Sequence, residues 1–332
     1  MLVSVLVFAS SLCVAQEVVA SIPTNGEVLG FAIDLPGHRV YAAVFTPGDT
    51  GPSSTGLYII DTQTQKLIKS VGVSNTSPGV AANPVTHRAY ATGCGFNLPF
   101  CIVTVFNNEG SELASISIPP GSGTIGGVSG IVADPLNNRI YVGDTSGNEL
   151  TVIDGATNKV EADIPFDQDA PTQLALDPLR NRLYVLTQEG RLDVIDTNDN
   201  KFLRQGEERE FAGNLDVDPL RSKIYIGGNG NVIDVVSAVD FRVLDKIDLP
   251  FAPGFIVVDS SADEIFASGF GSGKVAVIDG RTEKVEEEVR KAMDAIEVDP
   301  VARLLYAGGP ISSNNGIETE PIDVIKGVVS VF

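Results

Sequence analysis

ADPLNNRIYVGD, residues 133–144, reads as the end of one strand, a turn and a second strand, and nearly the same phrase returns as LDPLRNRLYVLT at residues 176–187. Counting outward from these two copies exposes a pattern that runs the length of the chain. An acidic or amide residue opens each turn and an aromatic follows seven positions later: Asp34 and Tyr41, Asn83 and Tyr90, Asp134 and Tyr141, Asp177 and Tyr184, Asp218 and Tyr225, Asp259 and Phe266, Asp299 and Tyr306. Proline follows the turn opener directly at Pro84, Pro135, Pro178, Pro219 and Pro300, and two positions on at Pro36. A cation stands two residues before the aromatic at Arg39, Arg88, Arg139, Arg182 and Lys223, whereas the last two copies carry Glu264 and Leu304 there. The copies start 49, 51, 43, 41, 41 and 40 residues apart, which is the period of a four-stranded propeller blade.

One unit is legible from end to end. GIVAD is a short apolar strand, PLNN a turn, RIYVGD a second strand, TSGN a loop, ELTVID a third strand, GATN a turn and KVEADIPF a fourth strand. Alternating β-branched and apolar residues suit a sheet packed between two other sheets, and no helical period competes with them. These features predict an all-β, seven-bladed β-propeller of four-stranded antiparallel blades. The seventh unit contains AIEVD, RLLYAGG and GVVSVF but no fourth strand, while EVVASIP at residues 17–23 matches KVEADIP at residues 159–165 and has no first three strands of its own. The N-terminal strand is therefore expected to complete the last blade in a 3+1 closure, which removes the open sheet ends.

The third-strand ending VID (Val152–Asp154, Val194–Asp196, Val277–Asp279), following NRIYV or NRLYV and preceding NKV or EKV, resembles the YVTN-type repeat of bacterial and archaeal β-propeller proteins. The resemblance covers nearly all of the chain beyond its first residues. It implies the propeller architecture and is weak for activity, because relatives include surface-layer modules, exported proteins and, more distantly, lactonase and quinoprotein-type propellers. The chain has no Trp, which sets aside WD40 repeats and leaves a quinone cofactor without its aromatic platform.

Length alone suggests about two domains, but the repeat joins residues 16–332 into one. Asp and Glu number 43 against 23 Lys and Arg, and the net charge of −20 disfavours nucleic acid and anionic lipid as partners. Residues 1–15, MLVSVLVFASSLCVA, are uncharged and apolar and end in small residues, the shape of a signal peptide cleaved before Gln16. The expected location is the periplasm, cell surface or medium, with no membrane insertion after cleavage. Two other readings of the leader stand beside this one, a lipid anchor on Cys13 and an ordinary buried strand. Cys94 and Cys101 close GCGFNLPFC (residues 93–101), a loop short enough for its ends to meet in an oxidising compartment, so a disulfide is expected, with two buried thiols as the alternative.

Strand polarity sends the turns after the first and third strands to one face and all other connections to the opposite face. Three connections on that second face are long: residues 44–56 in blade 1, 93–101 in blade 2 and 308–327 in blade 7, with the expanded link 119–127 beside them. Blades 7, 1 and 2 adjoin in a closed ring, so a binding face is expected there, offering Phe45, Asp49, Phe96, Asn97, Phe100, Asn314, Asn315, Glu318 and Glu320 to a protein or small molecule. The competing reading is a lactonase-like hydrolase. Five inner strands carry Ala or Val two residues before the turn opener, at Ala32, Ala81, Val132, Ala175 and Val257, whereas two carry Asp216 and Glu297. These acids face a central channel, where they either hold a divalent cation, calcium or magnesium, or pair with a neighbouring Arg or Lys. The two histidines, His38 and His87, sit at a turn position held by Asn138, Asn181, Ser222, Asp263 and Ala302 in the other copies, and read as turn residues. DTNDNK (196–201) and GDTSGNE (143–149) miss the spacing of a calcium loop, GEERE (206–210) is a charged approach to blade 5, and GFGSGK (269–274) joins two strands instead of opening a helix.

Overall fold

The computed structural model describes residues 17–46, 54–73, 79–94, 101–118, 128–144, 147–206, 211–228, 230–269, 271–290, 294–309, 312–313, 317–318 and 321–326. Seven antiparallel four-stranded sheets follow one another around a ring. Blade 3 illustrates the unit, with strands Val128–Asp134, Arg139–Asp144, Glu149–Asp154 and Lys159–Pro165 paired in that order. The first strands pack one against the next around the centre, and the last of them, Ala295–Asp299, packs on the first, Glu27–Asp34. Among the described residues the hydrophobic core divides into seven clusters, and each spans the seam between two neighbouring blades. A blade alone has two uncovered apolar faces, so burial is achieved only by closing the circle.

The recurrent phrase builds these seams. Each turn opener is buried, from Asp34 at 0% to Asp259 at 5% exposure, and accepts hydrogen bonds from the backbone of its own turn; Asp134 Oδ1, for instance, accepts from Leu136 N at 2.9 Å and Asn137 N at 3.1 Å. The fourth turn residue then adopts a left-handed backbone, as at Asn138 (φ 50°) and Asn181 (φ 50°), a conformation Asn tolerates well. The seventh member of this set is Arg303 (φ 56°), one residue beyond the Ala302 expected from the sequence. The aromatic seven positions on is fully buried in every copy. Tyr141 donates to Asn200 Oδ1 at 2.8 Å in blade 4, and Tyr306 donates to Gln65 Oε1 at 2.7 Å in blade 1, so the closing seam repeats a bond found inside the array.

The cation before the aromatic reaches across the seam as well. Arg39 donates to Asn108 O, Arg88 to Gly155 O, Arg139 to Thr197 O, Arg182 to Ala238 O and Lys223 to Gly280 O, at 2.6–3.2 Å. In every case the acceptor is the carbonyl just after the residue that opens the next blade's second turn. Blade 6 faces blade 7, whose third and fourth strands come from opposite ends of the chain and share no turn, and Glu264 stands at that position.

Closure follows the expectation. Glu17–Ile22 pairs antiparallel with Ile322–Lys326, and its third residue bulges between Val18 and Ala20. Blade 3 places its bulge at the equivalent point, between the partners of Val152 and Ile153, so the N-terminal strand reproduces an ordinary fourth strand residue for residue. One boundary is corrected: the third strand of blade 7 is Ile322–Lys326, inside the segment read as loop 308–327, and GVVSVF beyond it lies outside the described residues.

Candidate functional site

The two faces differ as the strand polarity predicts. On one face the short turns are tied down by Asp, Asn or Ser caps, buried in the first turn of every blade. On the other, the strand ends mark where the long connections leave: Thr46 and Ser54 in blade 1, Cys94 and Cys101 in blade 2, Ile118 and Val128 between blades 2 and 3, and Gly308 and Ile322 in blade 7. The first strand of blade 1 packs on both the first strand of blade 7 and that of blade 2, so these ends belong to adjacent blades. Within the blade 7 connection, Ser312–Ser313 and Ile317–Glu318 form a small two-stranded sheet.

Phe45 is half-buried at the end of its strand, opposite Glu27 and Thr55. Glu318 is placed by its backbone as the partner of Ser312. Asp49, Phe96, Asn97, Phe100, Asn314, Asn315 and Glu320 lie outside the described residues. Cys94 and Cys101 are Cα partners at the mouth of their hairpin, and Cys101 is buried.

Beside Thr46 and Ser54, the strand ends of blade 1, lies a cavity of about 170 Å³, lined also by Asn25, Thr55, Tyr58 and Ser70 among others. Tyr58 donates to Asn25 Oδ1 at 2.6 Å and accepts from Asn25 N at 3.3 Å. Gly26 is required beside them, since a Cβ there would stand 2.2 Å from Phe45 O. The sequence reading missed this group. The available signal was Tyr58 itself, the one tyrosine of seven that falls outside the repeat position. Electrostatically this face is acidic: burial, with Asp294 nearby, raises the Glu27 carboxyl, and burial with Asp163 and Asp144 raises Glu149.

The channel acids are real neighbours of the inner strands. Asp216 accepts from Val217 N and from Val258 N of blade 6, each at 2.8 Å, and so straps blade 5 to blade 6. Glu297 accepts from Val298 N at 3.0 Å. Both are half-buried on the innermost strands of their blades. Burial pushes Asp216 up to about 7, against the pull of its two N–H donors, and pushes Glu297 up to about 8 with help from the charge on Asp216. Glu297 therefore keeps its proton at neutral pH, and Asp216 releases its own well above the ordinary carboxylate range. Among the described residues no cluster of three or more His, Cys, Asp or Glu side chains is assembled.

The histidines stand on the short-turn face. His87 Nδ1 meets Asp34 Oδ2 at 2.9 Å across the blade 1–2 seam, and His38 Nε2 lies 3.4 Å from Gln63 Nε2. Both have the left-handed backbone of the fourth turn position. DTNDNK is the second turn of blade 4, opened by Asp196, which accepts from Asn198 N at 2.8 Å, and GFGSGK joins two strands as expected. Of GDTSGNE, residues 145–146 lie outside the described residues, and of GEERE, residues 207–210 do. No described helix is long and apolar enough to cross a membrane.

A stretch of 74 residues, 22% of the chain, is 38% identical to a protein named YncE and described as uncharacterized, in Escherichia coli K12, Escherichia coli O157:H7 and Salmonella typhi. The chain is a propeller with a YncE-like segment. That match covers 21% of the length of these relatives, and no family model matches the chain.

Proposed function

We propose that the chain is an exported, non-enzymatic propeller that binds a protein or small-molecule partner through the face built by blades 7, 1 and 2. The observation that carries this reading is that the strand ends flanking four long connections lie on one face of adjacent blades, on strands packed at the seams. Export rests on the uncharged apolar residues 1–15, and a Cys94–Cys101 disulfide, favoured by their opposed positions, pins the blade 2 connection. The test replaces residues 310–320 by a short Gly-Ser turn. Partners captured by the wild-type chain from the extracellular fraction of its source cells should be lost, with the melting temperature unchanged; retention of every partner refutes the reading.

The second reading is a lactonase-like hydrolase or cation site in the channel, favoured by the raised carboxyl groups of Asp216 and Glu297. It requires a rise in melting temperature with calcium or magnesium that chelator reverses and that Glu297→Gln abolishes.

A further inference from the structure

Blade 7 meets blade 1 at a seam that differs from five others in one residue. The first five blades each extend Arg or Lys into the next blade's second turn, onto the carbonyl after the residue that opens it. Blade 1 has that turn intact, opened by Asp61, with Thr62 supplying the equivalent carbonyl. Blade 7 presents Leu304 where the cation belongs. A cavity of about 480 Å³ opens beside Leu304 and Thr62, walled by Leu35 and Val301 and edged by Gln63 and Asp299. Gln65 is the internal substitute. Its Nε2 donates to Thr62 O while Tyr306 fixes its Oε1, which leaves one carbonyl lone pair and the space of an arginine stem.

We infer that this cavity, on the short-turn face, is a binding site for a basic side chain, an arginine guanidinium or lysine ammonium from a peptide partner. The other seams show what the space is shaped for: an aliphatic stem lying between blades with its charged head on a turn carbonyl. Leu35, Val301 and Leu304 offer apolar contact to the stem. Thr62 O, Gln63 and Asp299 offer acceptors to the head, and guanidinium suits such a planar, multi-acceptor edge. The titratable groups lining the cavity are Asp299, His38 and exposed Lys326, and the Arg39–Asp61 pair at 3.2 Å belongs to the adjoining blade 1 strands; the chain's charge of −20 adds a long-range attraction for cations.

The probe is acetyl-Gly-Arg-Gly-amide, with the citrulline peptide as a neutral isostere, followed through the side-chain amide NMR signals of Gln63 and Gln65. Saturable shifts are expected with a dissociation constant on the order of 1 mM, as befits a single side chain. The citrulline peptide should bind at least tenfold more weakly. Leu304→Arg restores the repeat residue and should abolish binding while raising the melting temperature. Lys326→Ala, at an exposed position, should tighten binding about threefold by removing a like charge. The site is overturned if the arginine peptide gives no saturable shift in the wild-type chain, if citrulline binds equally well, or if Lys326→Ala leaves the affinity unchanged. Shifts that persist in a folded Leu304→Arg chain also overturn it.

Discussion

Replacing Glu297 by Gln removes one ionisable group from the channel while keeping the shape and the acceptor that Val298 N uses. Burial, reinforced by Asp216, holds the wild-type carboxyl at about 8 in the folded chain, against 4.5 for an ordinary glutamate. The folded state therefore retains a proton that the unfolded chain has released, and the group's contribution is fully present below pH 4.5 and is lost as pH climbs towards 8. Each unit of difference corresponds to about 1.4 kcal/mol; with channel water relieving part of the burial, the wild type should lose about 2–4 kcal/mol across that window relative to Glu297→Gln. For a chain of this size, at about 2 °C per kcal/mol, the variant should melt roughly 4–8 °C above the wild type at pH 8.5, and the difference should shrink towards pH 4. Calorimetric melts from pH 4 to 9 supply the assay. Parallel curves for the two proteins would show that Glu297 ionises normally and that the channel does not bury it.

Arg88→Met should cost about 1.5–3 kcal/mol, because it strips a charged donor from Gly155 O at the blade 2–3 seam, and urea unfolding measures it. Removing residues 17–22 exposes the third strand of blade 7 as an edge and uncovers the cluster around Ile22; cooperative thermal unfolding should give way to aggregation seen by light scattering. Asp177→Ala should destabilise by about 2–3 kcal/mol, since Arg180, now held at 2.8 Å, and the turn N–H both lose a buried acceptor. Reduction with dithiothreitol should lower the melting temperature by several degrees, and Cys101→Ser should show no further drop on reduction.

The repeat made the fold legible because the residues that recur either cap their own turn or reach into a neighbouring blade. The turn Asp or Asn and the aromatic are buried in all seven copies and the cation bonds the next blade at five seams, so their spacing survives when the strands themselves drift. The two departures at the cation position also had a physical cause: Glu264 faces a blade with no second turn, and Leu304 borders a cavity. The third strand of blade 7 was misplaced because IDVIK lacks the VID ending and sits after a long connection, while GVVSVF has the better apolar alternation. Asp216 and Glu297 stood out because an acid broke a run of small apolar residues. Asn25 and Tyr58 went unread because their link joins residues 33 apart across two strands, and the repeat supplies no template for it. The long connections carry no repeated bond, so sequence placed them on a face without ordering them.

Partners should meet the face of blades 7, 1 and 2 and not the channel. The most direct measurement is quantitative capture by three chains in parallel: wild type, the 310–320 replacement and Glu297→Gln. Loss of partners with the loop replacement and full retention with Glu297→Gln is the expected result. Retention with the loop replacement together with loss in Glu297→Gln would move the site to the channel.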